Sequence, residues 1–220
     1  MPRFPKAILF DNDGVLVDTE ALYFRATRDV LATVGVRLDE AAYVELFLRQ
    51  GIGAFHLAAE RGVSPEGVLA LRADRNRLYQ EMIVREEILI AGVLDVVRRL
   101  AERFRLAIVT SAEPEPFASS HARTGLLPFF EVVITRVDTV RAKPDPDPYL
   151  MALDRLGLPA AECLVIEDSE RGLRAAKAAG LACWVIPAGL TRGGDFTAAD
   201  AVLADLDVAA ALLLGAASDA

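Results

Sequence analysis

The chain has 220 residues and a formal charge of −8, with 53% hydrophobic and 25% charged residues. That composition lies outside the low-hydrophobicity, high-charge class of disordered chains, and at roughly 150 residues per domain the length corresponds to one or two domains. A net-negative surface repels phosphate backbones, so neither a nucleic acid nor an anionic membrane is expected as a partner. An acidic protein still binds a small anion where it recruits a cation locally.

No apolar run approaches the roughly 20 residues that a bilayer span needs. Arg3 and Lys6 precede the apolar Ala7 to Phe10, but this stretch is too short for a secretion signal and Asp11 ends it. Cys163 and Cys183 belong to no spaced framework and read as buried reduced thiols, with a disulfide the minor alternative, which points to a cytoplasmic location.

Short apolar runs recur at Ala7 to Phe10, Leu106 to Val109, Val132 to Ile134, Leu164 to Ile166 and Cys183 to Ile186. They are too short for buried helices and fit central parallel strands. Helical periodicity lies between them: Leu94, Val97, Leu100, Ala101 and Phe104 precede the second run, and Tyr149, Leu150, Leu153 and Leu156 precede the fourth. This alternation predicts an α/β fold with a doubly wound parallel sheet.

The stretch between the first two strands carries no strand pattern. Tyr23, Ala26, Thr27, Val30, Leu31 and Val34 form one helical stripe closing at Gly35, and helical stretches follow at Glu40 to Leu48, Ala54 to Glu60 and Pro65 to Met82. An insertion of this size is too long for a plain loop. The expectation is a core built from residues 1–17 and 91–220, interrupted by a helical domain at 18–90. Ala209 to Ala220 reads as a last helix followed by frayed residues.

Four motifs fall at the expected strand ends, where open α/β sheets bind their ligands. Asp11-Asn12-Asp13-Gly14 follows the first strand; a hairpin turn is the alternative, but no partner strand follows Gly14. Thr110-Ser111 ends the second and can hold an anionic oxygen or simply cap the segment after it. Lys143-Pro144, after the third, offers either a point charge beside the acidic residues or a solvated loop lysine. Glu167-Asp168-Ser169 ends the fourth, with Gly172, Ala175 and Ala176 behind it; Ser169 suits a helix cap. Adjacent carboxylates repel one another and Asp11, and a divalent cation resolves the conflict. Oxygen-only ligands favour Mg²⁺ over zinc.

In this order and spacing the four motifs resemble the haloacid dehalogenase superfamily, and the helical insertion is similar to the cap of its β-phosphoglucomutase-like and phosphatase branch. The resemblance implies Asp11 as the nucleophile that forms an aspartyl-phosphate, and Asp13 as general acid and then base. It implies Mg²⁺ held by the Asp11 carboxylate, the Asp13 carbonyl and Asp168. Thr110, the Ser111 amide and Lys143 would orient the phosphoryl oxygens, and Glu167 would hold waters or Lys143. Dehalogenation is disfavoured, because a departing halide needs no acid at position 13.

The mutases of this branch carry a histidine at the start of the cap and an arginine on a cap loop. Tyr23 and Ala54 stand at the matching positions, with Arg49 nearby as a substitute. Hydrolysis of a small phosphorylated metabolite, a sugar or polyol phosphate, is therefore favoured over a mutase. A non-catalytic binding protein is the remote alternative. Cap residues expected to face the substrate are Glu20, Tyr23, Arg49, Gln50 and the loop Leu48 to Phe55, whereas Arg72, Arg75 and Arg77 either reach the site or form a solvated helix face, with the face favoured. The cap is expected to close about hinges near Val17 and Ala91. His56 and His121 lack metal-ligand spacing and read as ordinary residues, and a monomer is the default.

Overall fold

The computed structural model describes residues 5–216. In chain order the elements are β1 (Ala7–Phe10), α1 (Glu20–Ala32), α2 (Glu40–Tyr43) running into a π-helical turn (Val44–Arg49), α3 (His56–Glu60), α4 (Pro65–Arg85) and α5 (Val93–Ala101). There follow β2 (Arg105–Val109), α6 (Pro114–His121), β3 (Val132–Ile134), α7 (Asp147–Leu156), β4 (Cys163–Glu167), α8 (Glu170–Ala178), β5 (Ala182–Val185), β6 (Ala201–Val202) and α9 (Leu206–Ala216). The strands form one parallel sheet in the order β3-β2-β1-β4-β5-β6. The five expected strands are all present. β6 is an addition, since two residues are too few to show an apolar pattern.

Every residue of β1 is fully buried, as a strand with helices on both faces requires. Alternation assigns the faces. Ile8 and Phe10 pack with Leu106, Ile108, Leu164 and Ile166 against α5 and α9, while Ala7 and Leu9 pack with Ala107, Val109, Val165 and Cys183 against α7 and α8. Both cysteines are free and buried in this second layer, and burial pushes the Cys163 thiol up to about 11.

Strand register positions the site. Phe10 lies level with Ile108 on one side and Ile166 on the other, and Val109 is level with Ile134. Asp11, Thr110 and Asp168 therefore emerge within one residue of each other at a single edge of the sheet.

The helices α1 to α4 attach to this sheet by two crossings that lie side by side. Asp18 N donates to Ile88 O at 2.8 Å and Ile90 N to Leu16 O at 3.3 Å, with an antiparallel bridge between Val17 and Leu89. The inserted helices have apolar clusters of their own, one including Leu31, Leu38, Tyr43 and Phe55 and another including Leu22, Ala26, Tyr79 and Ile83. Ser64 caps α4 by accepting from Gly67 N at 3.2 Å, and Pro65 fills the first turn. The buried side chains of α4 are Leu71, Arg75, Tyr79 and Ile83, a stripe of spacing four that includes one arginine.

Among the described residues no helix is long and apolar enough to cross a membrane. Met1 to Phe4, in the segment weighed as a secretion signal, and the tail beyond Ala216 lie outside the described residues.

Leu100, on α5, is fully buried in the first layer. Leu100→Ala should destabilise the fold by about 2–5 kcal/mol, lowering the midpoint of a urea titration with little change in its slope.

Candidate active site

Lys143 stands at the centre of the edge where the motifs meet. Its ammonium donates to Asp11 Oδ1 at 2.6 Å, Glu167 Oε1 at 2.6 Å and the Val109 carbonyl at 2.7 Å, which uses all three of its protons. The side chain is 5% exposed, so Lys143 is not a solvated loop lysine. Burial alone would lower its pKa, but the Asp11 and Glu167 charges outweigh that and raise it, keeping the ammonium charged.

Glu167 is fully buried and both of its oxygens are occupied. Oε1 accepts from Lys143 and from the Tyr149 hydroxyl at 2.8 Å, while Oε2 accepts from Asp168 N at 3.1 Å and Ser169 Oγ at 3.0 Å. Ser169 in turn caps α8, accepting from Gly172 N at 3.0 Å. With its lone pairs committed, Glu167 anchors the lysine.

Asp11, Glu167 and Asp168 place one carboxylate oxygen each within 4.8 Å of one another. Burial first, then the Glu167 charge, pushes Asp11 up to about 8 against the pull of Lys143. Asp168 is likewise raised by burial and by the Asp11 and Glu167 charges, and among the described residues no cation pairs with it. One ammonium thus faces three carboxylates, and the remaining donors are all oxygens. This composition fits a hard divalent cation.

Asp13 is bound to two hydroxyls. Its Oδ1 accepts from the Thr19 hydroxyl and its Oδ2 from the Thr110 hydroxyl at 3.3 Å, while Thr110 Oγ1 also accepts from Ala112 N at 3.0 Å. Thr110 thus bonds the backbone two residues on, while α6 itself has Glu113 at its N-cap and no side-chain cap bond. Gly14 lets the turn after β1 approach the Asp168 side chain closely: its φ is +83°, and a Cβ there would lie 2.1 Å from Asp168 Oδ2.

A cavity of about 1280 Å³ opens from this edge toward the inserted helices. Asp13, Ser111, Glu20 and Tyr23 line it, as do Leu48, Gly51, Ile52 and Gly53 of the expected cap loop. Glu20 accepts from the Tyr43 hydroxyl, and its burial pushes the carboxyl up to about 7 despite that bond.

Two expectations for the cap are corrected. Arg49 and Gln50 do not line the cavity: both are exposed and bound to Glu45, at 3.3 and 2.8 Å, and Arg49 also donates to Gly193 O at 3.1 Å. Glu45, one helical turn back, holds them on the outer side of the turn. Arg75 is not on a solvated face. It is 7% exposed and stacks on Tyr23, its guanidinium carbon 4.3 Å from the ring centroid, while Arg72 stacks on Phe55 at 4.7 Å. Both line the cavity, and among the described residues neither is paired with a carboxylate. Arg77 also borders it but is exposed and ion-paired with Asp74.

Sequence reading also missed Tyr149 and Arg171. Tyr149 was visible only as an apolar-stripe position. Arg171 donates to Lys143 O at 2.6 Å and to Phe47 O at 3.4 Å, linking the lysine loop to the inserted helices. For Arg75 a signal existed, the four-residue spacing from Leu71 through Ile83.

The family model for haloacid dehalogenase-like hydrolases matches residues 5–180. The chain belongs to the haloacid dehalogenase-like hydrolases. It is 36% identical to the CbbY protein of Rhodobacter capsulatus over 93% of this chain and 95% of that one. A phosphorylated carbohydrates phosphatase of Thermotoga maritima is 32% identical, over 80% of this chain and 82% of its own. The solved structure of CbbY from Rhodobacter sphaeroides in complex with xylulose-(1,5)-bisphosphate matches with a TM-score of 0.77 at 28% identity, over 92% of this chain and 95% of that one. This haloacid dehalogenase-like hydrolase is a phosphoric monoester hydrolase.

Gly172 shields the lysine anchor, because a Cβ there would lie 1.7 Å from Glu167 Oε1. Gly172→Ala should cost about 1–3 kcal/mol and most of the activity, as Glu167 and then Lys143 are displaced. Gly215→Ala, where a Cβ meets nothing within 4 Å, should keep both; thermal melts and phosphate-release assays read the contrast.

Proposed function

We propose that the chain hydrolyses a phosphorylated sugar or polyol through an aspartyl-phosphate on Asp11, with Mg²⁺ as cofactor. The observation that carries this reading is the buried Lys143 bridge, which holds Asp11 Oδ1 and leaves the other carboxylate oxygen for attack. That oxygen would bond to phosphorus as the bond to the departing sugar oxygen breaks, and Asp13 would deliver a proton to that oxygen. Water would then attack phosphorus, Asp13 would take its proton, and the aspartyl bond would break to release phosphate. The Thr19 and Thr110 hydroxyls donate to Asp13 and fix the direction of its carboxylate at the cavity wall.

The Asp11 and Asp168 carboxylates and the Asp13 carbonyl would hold Mg²⁺. Bound there, the ion supplies positive charge that offsets repulsion between the Asp11 carboxylate and a phosphate dianion. Ser111, Thr110 and Lys143 orient the phosphoryl group in this reading, with residues 18–90 forming a cap that closes about the paired crossings at Val17 and Leu89 and excludes water.

The substrate's far end would meet the inserted helices. The related CbbY protein binds a sugar bisphosphate, and the cationic Arg72 and Arg75, stacked on Phe55 and Tyr23, suit a second acidic group there. Tyr23 and Glu20 offer a hydroxyl and a carboxyl to sugar hydroxyls.

Asp11→Asn should abolish Mg²⁺-dependent phosphate release across a panel of sugar and polyol phosphates, and chelation of the wild type should do the same. Retained activity in Asp11→Asn would refute the nucleophile assignment. Arg75→Met should raise KM for a sugar bisphosphate by about 10-fold, with a smaller effect on the monophosphate, as loss of one charge-assisted contact predicts.

A further inference from the structure

Asn12 lies between the two aspartates, and its side chain does not face the cavity. It is 1% exposed, and its Oδ1 meets His121 Nε2 at 2.7 Å. His121 ends α6, is itself 4% exposed, and its other ring nitrogen lies 3.0 Å from Thr124 Oγ1. An amide oxygen accepts only, so Nε2 carries the proton and Nδ1 accepts from the threonine hydroxyl. Burial holds the ring neutral by pushing its pKa down to about 4, so this arrangement persists across the ordinary pH range.

The main chain of Asn12 is also engaged. Its carbonyl accepts from Leu16 N at 2.9 Å and Val17 N at 3.1 Å, which forms the turn leading to the inserted helices. The side-chain bond fixes the remaining freedom of this peptide pair. It lies one residue from Asp11, bound to Lys143, and one from Asp13, bound to Thr19 and Thr110.

We propose that His121 is a positioning residue, which acts through the Asn12 side chain to set the relative orientation of Asp11 and Asp13. It touches neither carboxylate. Its donor holds the peptides that carry them, and a misplacement of about 1 Å at reacting atoms can cost 100-fold in rate. The inference rests on the roles given above to Asp11 and Asp13.

The test compares His121→Leu, His121→Gln, Asn12→Leu and the Asn12→Leu/His121→Leu double variant, with para-nitrophenyl phosphate and Mg²⁺ as the probe. Glutamine places an amide N–H near the position of Nε2, so it should restore most of the rate. His121→Leu should lower kcat by about 10-fold or more while KM changes little, and the double variant should be no slower than the slower single variant. An unchanged kcat in His121→Leu, an equal loss in His121→Gln, or single-variant losses that multiply in the double would overturn the proposal. Should His121→Leu fail to fold, nitrogen NMR of the wild-type ring decides: a proton on Nε2 supports the clamp and a proton on Nδ1 overturns it. Asp11→Asn run alongside separates the two levels. If it is inactive and the His121 variants are normal, only the clamp fails; if it is active, the catalytic reading fails first.

Discussion

The arrangement of the site depends on one buried ammonium. Lys143 is the only cation bonded within the described cluster of Asp11, Glu167 and Asp168, and it ties the loop after β3 to the ends of β1, β2 and β4. Such a bridge adds little to stability against an apolar equivalent, because desolvation offsets most of the attraction. Removing either partner is another matter, since it leaves a buried charge uncompensated at about 3–5 kcal/mol. The geometry is accordingly held by coupled parts: Tyr149 and the Asp168 and Ser169 donors fix Glu167, Glu167 fixes Lys143, and Lys143 fixes one oxygen of Asp11.

The two aspartates beside this bridge sit in different surroundings. Asp11 lies in a dry, crowded acidic environment, while Asp13 accepts from two hydroxyls at the cavity wall. Two carboxylates two positions apart do different work where their surroundings differ in this way. Alternation along β1 does not explain the difference, because both residues lie beyond its end; the turn at Asn12 and Gly14 does.

Much of this was legible in the sequence because the core obeys local rules. Apolar runs mark β1 to β5, and parallel register brings their ends level, so residues far apart in the chain could be assigned to one site. What was not legible depends on side-chain direction rather than element type. Arg49 falls within an apparent cap loop but lies on a π-helical turn beside Glu45, which holds it outward. Arg75 looks like one of a run of surface arginines, yet it shares a stripe with Leu71, Tyr79 and Ile83 and finds Tyr23 to stack on. His121 has no ligand spacing because its partner is an amide 109 positions away. Tertiary packing decides such cases, and one sequence carries little of that information.

The central claim is that Asp11 carries the phosphoryl group during turnover. Rapid acid quenching of the enzyme with substrate and Mg²⁺, followed by peptide mass mapping, tests this most directly. The account predicts a phosphoryl group on the peptide containing Asp11 and its absence in Asp11→Asn. Turnover at the normal rate with no phosphorylated peptide, or with the label on another residue, would contradict it.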